Sequence, residues 1–454
     1  MKLNRLHMKN FRCFEELSLQ FGKRLTVVIA DNGAGKTALL DAIALGFGRY
    51  LTKLPGISGQ SPKDTDLRIS AGERKEPFMM LAWEAETFDG RSVVWATGRK
   101  RDNAVTSATI KRQLSETQQS LYANGLKSID EFTLDLVQSE SDQKPYFVPV
   151  IAYYGTNRAI RDDVKRRRGF KKNFLRFDAL KDALTRDSSF RAAFEWFNAM
   201  EDAERREREV RRDFDYRHPE LQAVRTAIER LLSPNFRNPR TEIRPLRFVI
   251  DRIMPNGTIQ TFRISQLSDG YRVVLGLTMD LARRLMEANS GLIPAEMQGE
   301  SPLDFPAIVL IDEIDLHLHP SWQQRIVTDL MQTFRNAQFI VTTHSPQVLS
   351  TVKRENIRII GPGPDGRIVA EPPLAMTYGE PSGDVLHSVM MVDPQPPVSE
   401  KADLQRLTEW VDQGRYLDDG AVRLMRQLTE NLGEQHPQLQ RLRRSIQRQE
   451  ALKQ

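Results

Sequence analysis

Short apolar runs separated by polar and glycine-bearing turns fill the first part of the chain. Residues 3–30 read as three short strands, with turns at Asn10-Phe11-Arg12 and Phe21-Gly22-Lys23-Arg24. The third run, Leu25-Thr26-Val27-Val28-Ile29, is apolar apart from Thr26, as in a strand buried on both faces. A loop of small residues and a helix over 37–52 follow it. Residues 55–76 are rich in Gly, Pro, Ser and Asp and predict loop. Segments 78–83 and 92–96 predict strands, and 101–145 predicts a helix with mobile flanks. Residues 146–154 predict a buried strand ending at Gly155.

Beyond Arg158 the pattern becomes charged and helical to about Arg230. Pro234, Pro239 and Pro245 mark a return to strands near 246–252 and 259–264. A second α/β block runs from Ser265 to about Ile368, and the Pro-rich stretch at 393–397 precedes a charged helical tail. No fixed-period repeat is present. The predicted organisation is α/β, one nucleotide-binding head with a mixed sheet, split by a helical insertion and followed by a helical C-terminal tail. Its predicted parts are 1–157 and 241–392 for the head, 158–240 for the insertion, and 393–454 for the linker and tail.

The chemistry starts at Ala30-Asp31-Asn32-Gly33-Ala34-Gly35-Lys36-Thr37. A strand, a small-residue loop and a helix in that order form a phosphate-binding loop, in which successive N–H groups and the helix N-terminus cradle phosphates. Asn32, Gly33, Ala34, Gly35 and Ala38 belong to the cradle, Lys36 reaches the β- and γ-phosphates, and the Thr37 hydroxyl ligates Mg²⁺. Ala30 stands where the pattern normally has Gly. Far downstream, Ala307-Ile308-Val309-Leu310-Ile311-Asp312-Glu313 is an apolar strand ending in two acids. Asp312 is placed to hold Mg²⁺ and Glu313 to orient or deprotonate the attacking water. Another strand, 338–343, leads into His344, a candidate γ-phosphate sensor. Upstream, Leu267-Ser268-Asp269-Gly270 precedes a helical run over 273–286, so the Ser268 side chain is a candidate N-cap.

Taken in order, these elements resemble the SMC/RecF/overcoming-lysogenization-defect (OLD) branch of ABC-type ATPases. Leu6-His7-Met8-Lys9-Asn10-Phe11-Arg12 and Asp315-Leu316-His317-Leu318-His319-Pro320 add to the likeness. The resemblance implies an ATP site shared between two protomers, with Ser268 and Gly270 acting in trans and Asn10, Arg12 and Asn32 helping to bind nucleotide. It assigns His317 and His319 to a dimer-facing loop, whereas the residues alone also admit a metal site. Tyr153-Tyr154-Gly155-Thr156-Asn157-Arg158 stands where a Gln-bearing loop is expected, and reads equally as an ordinary strand–helix turn. Tyr378-Gly379-Glu380-Pro381-Ser382-Gly383-Asp384-Val385-Leu386 makes the chain similar to the Septu antiphage ATPases of PtuA type and their retron-associated relatives. That likeness implies homo-oligomers built from head-to-tail dimers and a separate His-Asn-His (HNH, PtuB-like) nuclease regulated by the ATPase. A RecF- or SMC-like DNA-repair ATPase and a nucleotide-bound scaffold with negligible turnover are the alternatives.

Composition trims this picture. The chain has 454 residues, 40% hydrophobic and 28% charged, with a net charge of +6, compatible with DNA as a further partner. Residues 158–176 hold nine Lys or Arg against two Asp, with Phe170 and Phe174 interleaved, either a solvated face or a phosphate-binding patch. Glu204-Arg205-Arg206-Glu207-Arg208-Glu209 alternates in sign and predicts a solvated, self-paired helix. In the tail, Leu404, Leu407, Trp410 and Val411 form one stripe and Leu424, Leu428 and Leu432 another, for packing on the head or docking a nuclease. One cysteine, Cys13, and the lack of a secretory or membrane-spanning run fit a soluble cytoplasmic protein. The insertion is too short for a chromosome-tethering arm, and the tail lacks a nuclease's acid cluster, so the chain is not expected to cut DNA itself.

Overall fold

The computed structural model describes residues 1–70, 74–158, 175–186, 190–292 and 301–453. The chain forms two compact units, Met1–Val385 and Leu386–Gln454. In the first, β1 (Lys2–Phe11), β2 (Phe14–Gln20) and β3 (Leu25–Ala30) are followed by α1 (Lys36–Lys53), close to the expected bounds. Then come β4 (Phe78–Glu86) and β5 (Ser92–Lys100). Helix α1 is buried along most of its length and locks onto this hairpin through two tryptophans. The Trp83 indole N–H donates to Ala42 O at 3.1 Å and that of Trp95 to Gly46 O at 2.8 Å. A Cβ on Gly46 would lie 2.5 Å from the Trp83 ring, so only glycine admits it.

Residues 101–145 do not form one helix. They form α2 (Ser107–Gln113), α3 (Glu116–Ala123) and α4 (Lys127–Ser141). Thr106 and Ser115 start new helices by accepting from Thr109 N and Gln118 N, which a hydropathy pattern does not reveal. Strand β6 (Val150–Tyr154) begins just after Pro149.

The insertion contains α5 (Phe190–Arg211) and α6 (Pro219–Leu232), and then β7 (Phe236–Ile243), β8 (Leu246–Ile253) and β9 (Ile259–Arg263) make a three-stranded antiparallel sheet. Strand β7 was not expected, and a boundary at 240 cuts through it. It is an edge strand whose Pro239 sits at a shift in register between Arg237 and Arg240, where no ladder N–H is required. The sign-alternating run is only partly solvated. Glu204 is buried, accepts from Arg225 and Arg208, and receives His218 N at 2.8 Å, tying α5 to α6.

The second half of the head adds α7 (Asp269–Ala288), β10 (Ala307–Ile311), α8 (Pro320–Gln323), α9 (Ile326–Thr333), β11 (Ala337–Thr342), α10 (Pro346–Leu349), β12 (Ile357–Pro362) and β13 (Ile368–Glu371). The central sheet has the order β13-β12-β3-β11-β10-β6, parallel except for β13, and β2-β1-β4-β5 form a separate antiparallel sheet. Strands β10, β11 and β6 are buried at every position, as befits a parallel sheet covered on both faces.

After α11 (Ser382–Ser388), the second unit comprises α12 (Lys401–Asp412), α13 (Asp419–Leu432) and α14 (Pro437–Lys453). Leu404, Leu407 and Val411 pack against Leu424, Leu428, Leu439 and Leu442, so both stripes close on each other inside this unit. The unit starts at Leu386, before the Pro-rich stretch. Among the described residues, no helix is long and apolar enough to cross a membrane.

Candidate functional site

Parallel order places the chemistry. Strand β11 lies between β3 and β10, and Ile311 is in register with both Val341 and Tyr154. The loops after β3, β11, β10 and β6 therefore emerge at one edge, the carboxyl ends of the strands, where open α/β sheets bind ligands.

Gly33 and Gly35 take left-handed φ of 79° and 99° in the loop after β3. Gly35 has no room for a side chain, because a Cβ would lie 2.5 Å from both Cys13 Sγ and the Phe14 ring. Ala30 is instead the last residue of β3, in register with Ile360, which explains why a methyl group fits there. Asn32 and Gly33 are exposed, Ala34 is half-buried, and Ala38 is buried in the first turn of α1. The Lys36 ammonium folds over the loop, donating to Ala30 O at 2.8 Å and Asp31 O at 3.2 Å. Burial pulls its pKa below the ordinary value, against the attraction of Asp312, Glu313, Asp31 and Asp315.

Thr37, Asp312 and Thr342 form one chain of bonds. The Thr37 hydroxyl donates to Asp312 Oδ2 at 2.8 Å, and the Thr342 hydroxyl donates to Asp312 Oδ1 at 2.6 Å. Thr342 Oγ1 also accepts from Glu313 N at 2.7 Å. Glu313 holds a left-handed φ of 48°, uncommon for a side-chain-bearing residue. Arg158 braces this turn from the end of β6. Its guanidinium donates to the carbonyls of Gly155 at 2.9 Å, Asp312 at 2.5 Å and Glu313 at 2.5 Å. Burial pushes its pKa down to about 10, against the pull of Asp312, Asp315 and Glu313. Behind them, Thr343 Oγ1 donates to Asp315 Oδ1 at 2.6 Å. His344 follows directly and is half-buried.

The Leu-Ser-x-Gly element packs on the segment after the two acids. Ser268 is the N-cap of α7 by backbone position and is exposed, but its side chain makes no capping bond, contrary to expectation. A Cβ on Gly270 would lie 2.8 Å from His317 O, so glycine permits the close approach of the two segments. His319 Nδ1 lies 3.3 Å from Ser321 N and caps the short α8. Among the described residues, no group of three or more His, Cys, Asp or Glu could hold a metal ion.

Asn10 lies near the end of β1 and Arg12 in the β1–β2 turn, both with left-handed φ. The Asn10 side chain is buried and donates to Phe78 O at 3.2 Å, a contact that supports the fold and engages its amide. Arg12 bonds Asp41 Oδ2 at 2.5 Å and Asp66 Oδ1 at 2.9 Å. Asp41, one turn after Thr37 on α1, also bonds Arg186, and its Oδ1 accepts from Tyr153 OH at 3.1 Å. The segment around Tyr153 thus reaches α1 through Asp41, and Arg158 reaches the two acids. Of the basic stretch 158–176, residues 159–174 lie outside the described residues. Arg158 is 1% exposed, while Arg176 bonds Ala288 O and Tyr146 O at 2.9 Å each. Sequence reasoning missed Thr342 and Asp41, and it singled out the stretch ending at Arg158 without foreseeing that this side chain holds the two-acid turn. Polar Thr342-Thr343 at the end of an apolar strand was the available signal for the first.

Known proteins share parts of this chain. It is 36% identical over 216 residues to "Retron Ec83 probable ATPase" of Escherichia coli, covering 47% of this chain and 37% of that protein. It is 45% identical over 134 residues to "Retron Vc95 probable ATPase" of Vibrio cholerae, covering 30% and 24%. It is also 38% identical over 84 residues to "Septu protein PtuA" of Bacillus mycoides, covering 18% and 10%. The matches thus span well under half of each relative's length. Residues 25–350, which hold the phosphate loop, both acids and His344, match the family described as "AAA domain, putative AbiEii toxin, Type IV TA system". The chain belongs to that family and is an SMC/RecF/OLD-like ABC-type ATPase related to PtuA and the retron ATPases.

Proposed function

We propose that the chain binds ATP with Mg²⁺ at a site shared by two head-to-tail protomers, and that occupancy of this site controls a separate HNH-type nuclease in a cytoplasmic antiphage defence complex. The observation that carries the reading is the convergence of Lys36, Thr37, Asp312 and Thr342 at the carboxyl ends of β3, β10 and β11. The donor set suits a hard dication, since a hydroxyl and a carboxylate already lie 2.8 Å apart. Thr37 and Asp312 would hold Mg²⁺, which when bound neutralises phosphate charge. Lys36 would exchange its two carbonyl partners for phosphate oxygens. Glu313 would orient the attacking water and accept its proton, and His344 would donate a hydrogen bond to the γ-phosphate. Ser268 and Gly270 of the opposing protomer would complete the cradle. The likeness to PtuA and the retron ATPases supports the defence context.

Turnover of ATP by the purified chain tests the catalytic part. Glu313→Gln is expected to lower turnover by about 10²- to 10⁴-fold while retaining ATP binding. Unchanged turnover would remove Glu313 from the reaction. Co-expression with a neighbouring HNH nuclease tests the partner: co-purification and ATP-dependent cleavage are expected. Strong stimulation of the isolated chain by DNA ends would favour a repair ATPase instead.

A further inference from the structure

Outside the nucleotide site, α5, α6 and β7 enclose an open cavity of about 510 Å³ lined by Arg205, Arg208, Arg217, Arg225, Arg237 and Arg240. Its three glutamates are already engaged. Glu201 accepts from Arg225 at 3.0 Å and from Thr241 N at 3.0 Å, Glu204 from Arg225, Arg208 and His218 N, and Glu229 from Asn238 N at 2.8 Å. Two arginines are not matched by carboxylates. Arg217 makes only long bonds of 3.2 to 3.4 Å to the carbonyls of Tyr216, Asp215 and Phe214. Arg237 is exposed and makes no side-chain hydrogen bond or ion pair among the described residues. Guanidinium groups keep several N–H donors each, which suits phosphate oxygens. Beside them, the α5–α6 turn holds Phe214 at 85% exposure, on the residue whose carbonyl Arg217 contacts.

A guanidinium-lined pocket beside an exposed aromatic ring is the arrangement that holds a flexible strand by its backbone and stacks its bases. We propose that this cavity binds the phosphodiester backbone of single-stranded nucleic acid, with Phe214 stacking on a base. A duplex would leave the ring without a base face to cover. The assignment is independent of the nuclease-control reading, because none of these residues belongs to the ATP site.

Fluorescence anisotropy of a labelled oligothymidylate with the full chain, across a salt series, tests it. Combined Arg217→Ala and Arg237→Ala is expected to reduce the slope of log K against log salt by about 1.4, for two lost contacts on a single strand. Phe214→Ala should weaken binding roughly tenfold and leave that slope unchanged. All three positions are exposed, and unchanged binding of an ATP analogue would show that the variants fold. No binding by the wild-type chain, or variants that match it, would overturn the proposal. So would equal competition by duplex DNA or by polyglutamate.

Discussion

Asp312 is oriented before any ligand arrives, because hydroxyls from two separate elements, Thr37 and Thr342, fix both of its oxygens. Thr342 is fully buried and serves two partners, Asp312 and Glu313 N. Thr342→Val keeps the shape and removes the hydroxyl, leaving buried polar groups unpaired at about 1–3 kcal/mol. Thermal unfolding should show that loss, and ATP turnover should fall with it. Arg158 acts through the backbone and is a positioning residue. Arg158→Lys keeps charge but loses the planar fork that spans the carbonyls of Asp312 and Glu313. It should lower kcat on the order of 100-fold with little change in KM, since displacing Glu313 by about an ångström costs that much. A matching rise in KM would instead assign Arg158 to ligand binding. The placement of Lys36, Thr37, Asp312 and Glu313 at one sheet edge was legible in sequence because motif spacing fixes where each falls relative to its strand. Arg158 was not, because it begins a run of cations that reads as surface, and burial is set by the strand it follows.

Legibility among the elements followed burial pattern. Strands β3, β10 and β11 are dominated by apolar residues and were evident, whereas β7 hid behind Pro239 because an edge strand tolerates a missing N–H at a register shift. The tail stripes were visible, but two faces of suitable width cannot say whether they meet each other or a partner; here they meet each other. Helix α7 contains a feature that periodicity does not flag, a buried cluster of Asp280, Arg283, Arg284 and Glu287 with Tyr154 OH donating to Asp280 at 2.9 Å. Burial alone would raise the Asp280 pKa, but Arg284 and Arg283 outweigh it and hold the group at about 2, below its ordinary 3.8. A depressed carboxyl contributes stability that is complete above its unfolded value and is lost as pH falls through the folded one. Chemical denaturation should therefore show stability falling between about pH 4 and pH 2. Asp280→Asn should cost about 3–5 kcal/mol at neutral pH, since it leaves two buried guanidinium groups short of charge, and should flatten the acid slope.

At the scale of the whole molecule, the proposed shared site makes a prediction that a single-chain site does not. Lys36 would act only in its own protomer's site and Ser268 only in its partner's. A Lys36→Ala chain and a Ser268→Arg chain should each be inactive alone, the first for want of a cis lysine and the second because a bulky side chain obstructs the facing cradle. In a mixed head-to-tail dimer both lesions fall in one site. The other site then combines the intact phosphate loop of the Ser268→Arg chain with the intact Ser268-Gly270 element of the Lys36→Ala chain. Random pairing of equal amounts makes half of the dimers mixed, each with one sound site, so about a quarter of the wild-type sites should return. ATP turnover measured after mixing, over a concentration series, checks this. Recovery that appears only in the mixture and falls on dilution would support a site built between chains. Activity that stays at the level of the separate variants would remove Ser268 from the partner's site, while leaving the geometry of Thr37, Asp312 and Thr342 as evidence for the cis half.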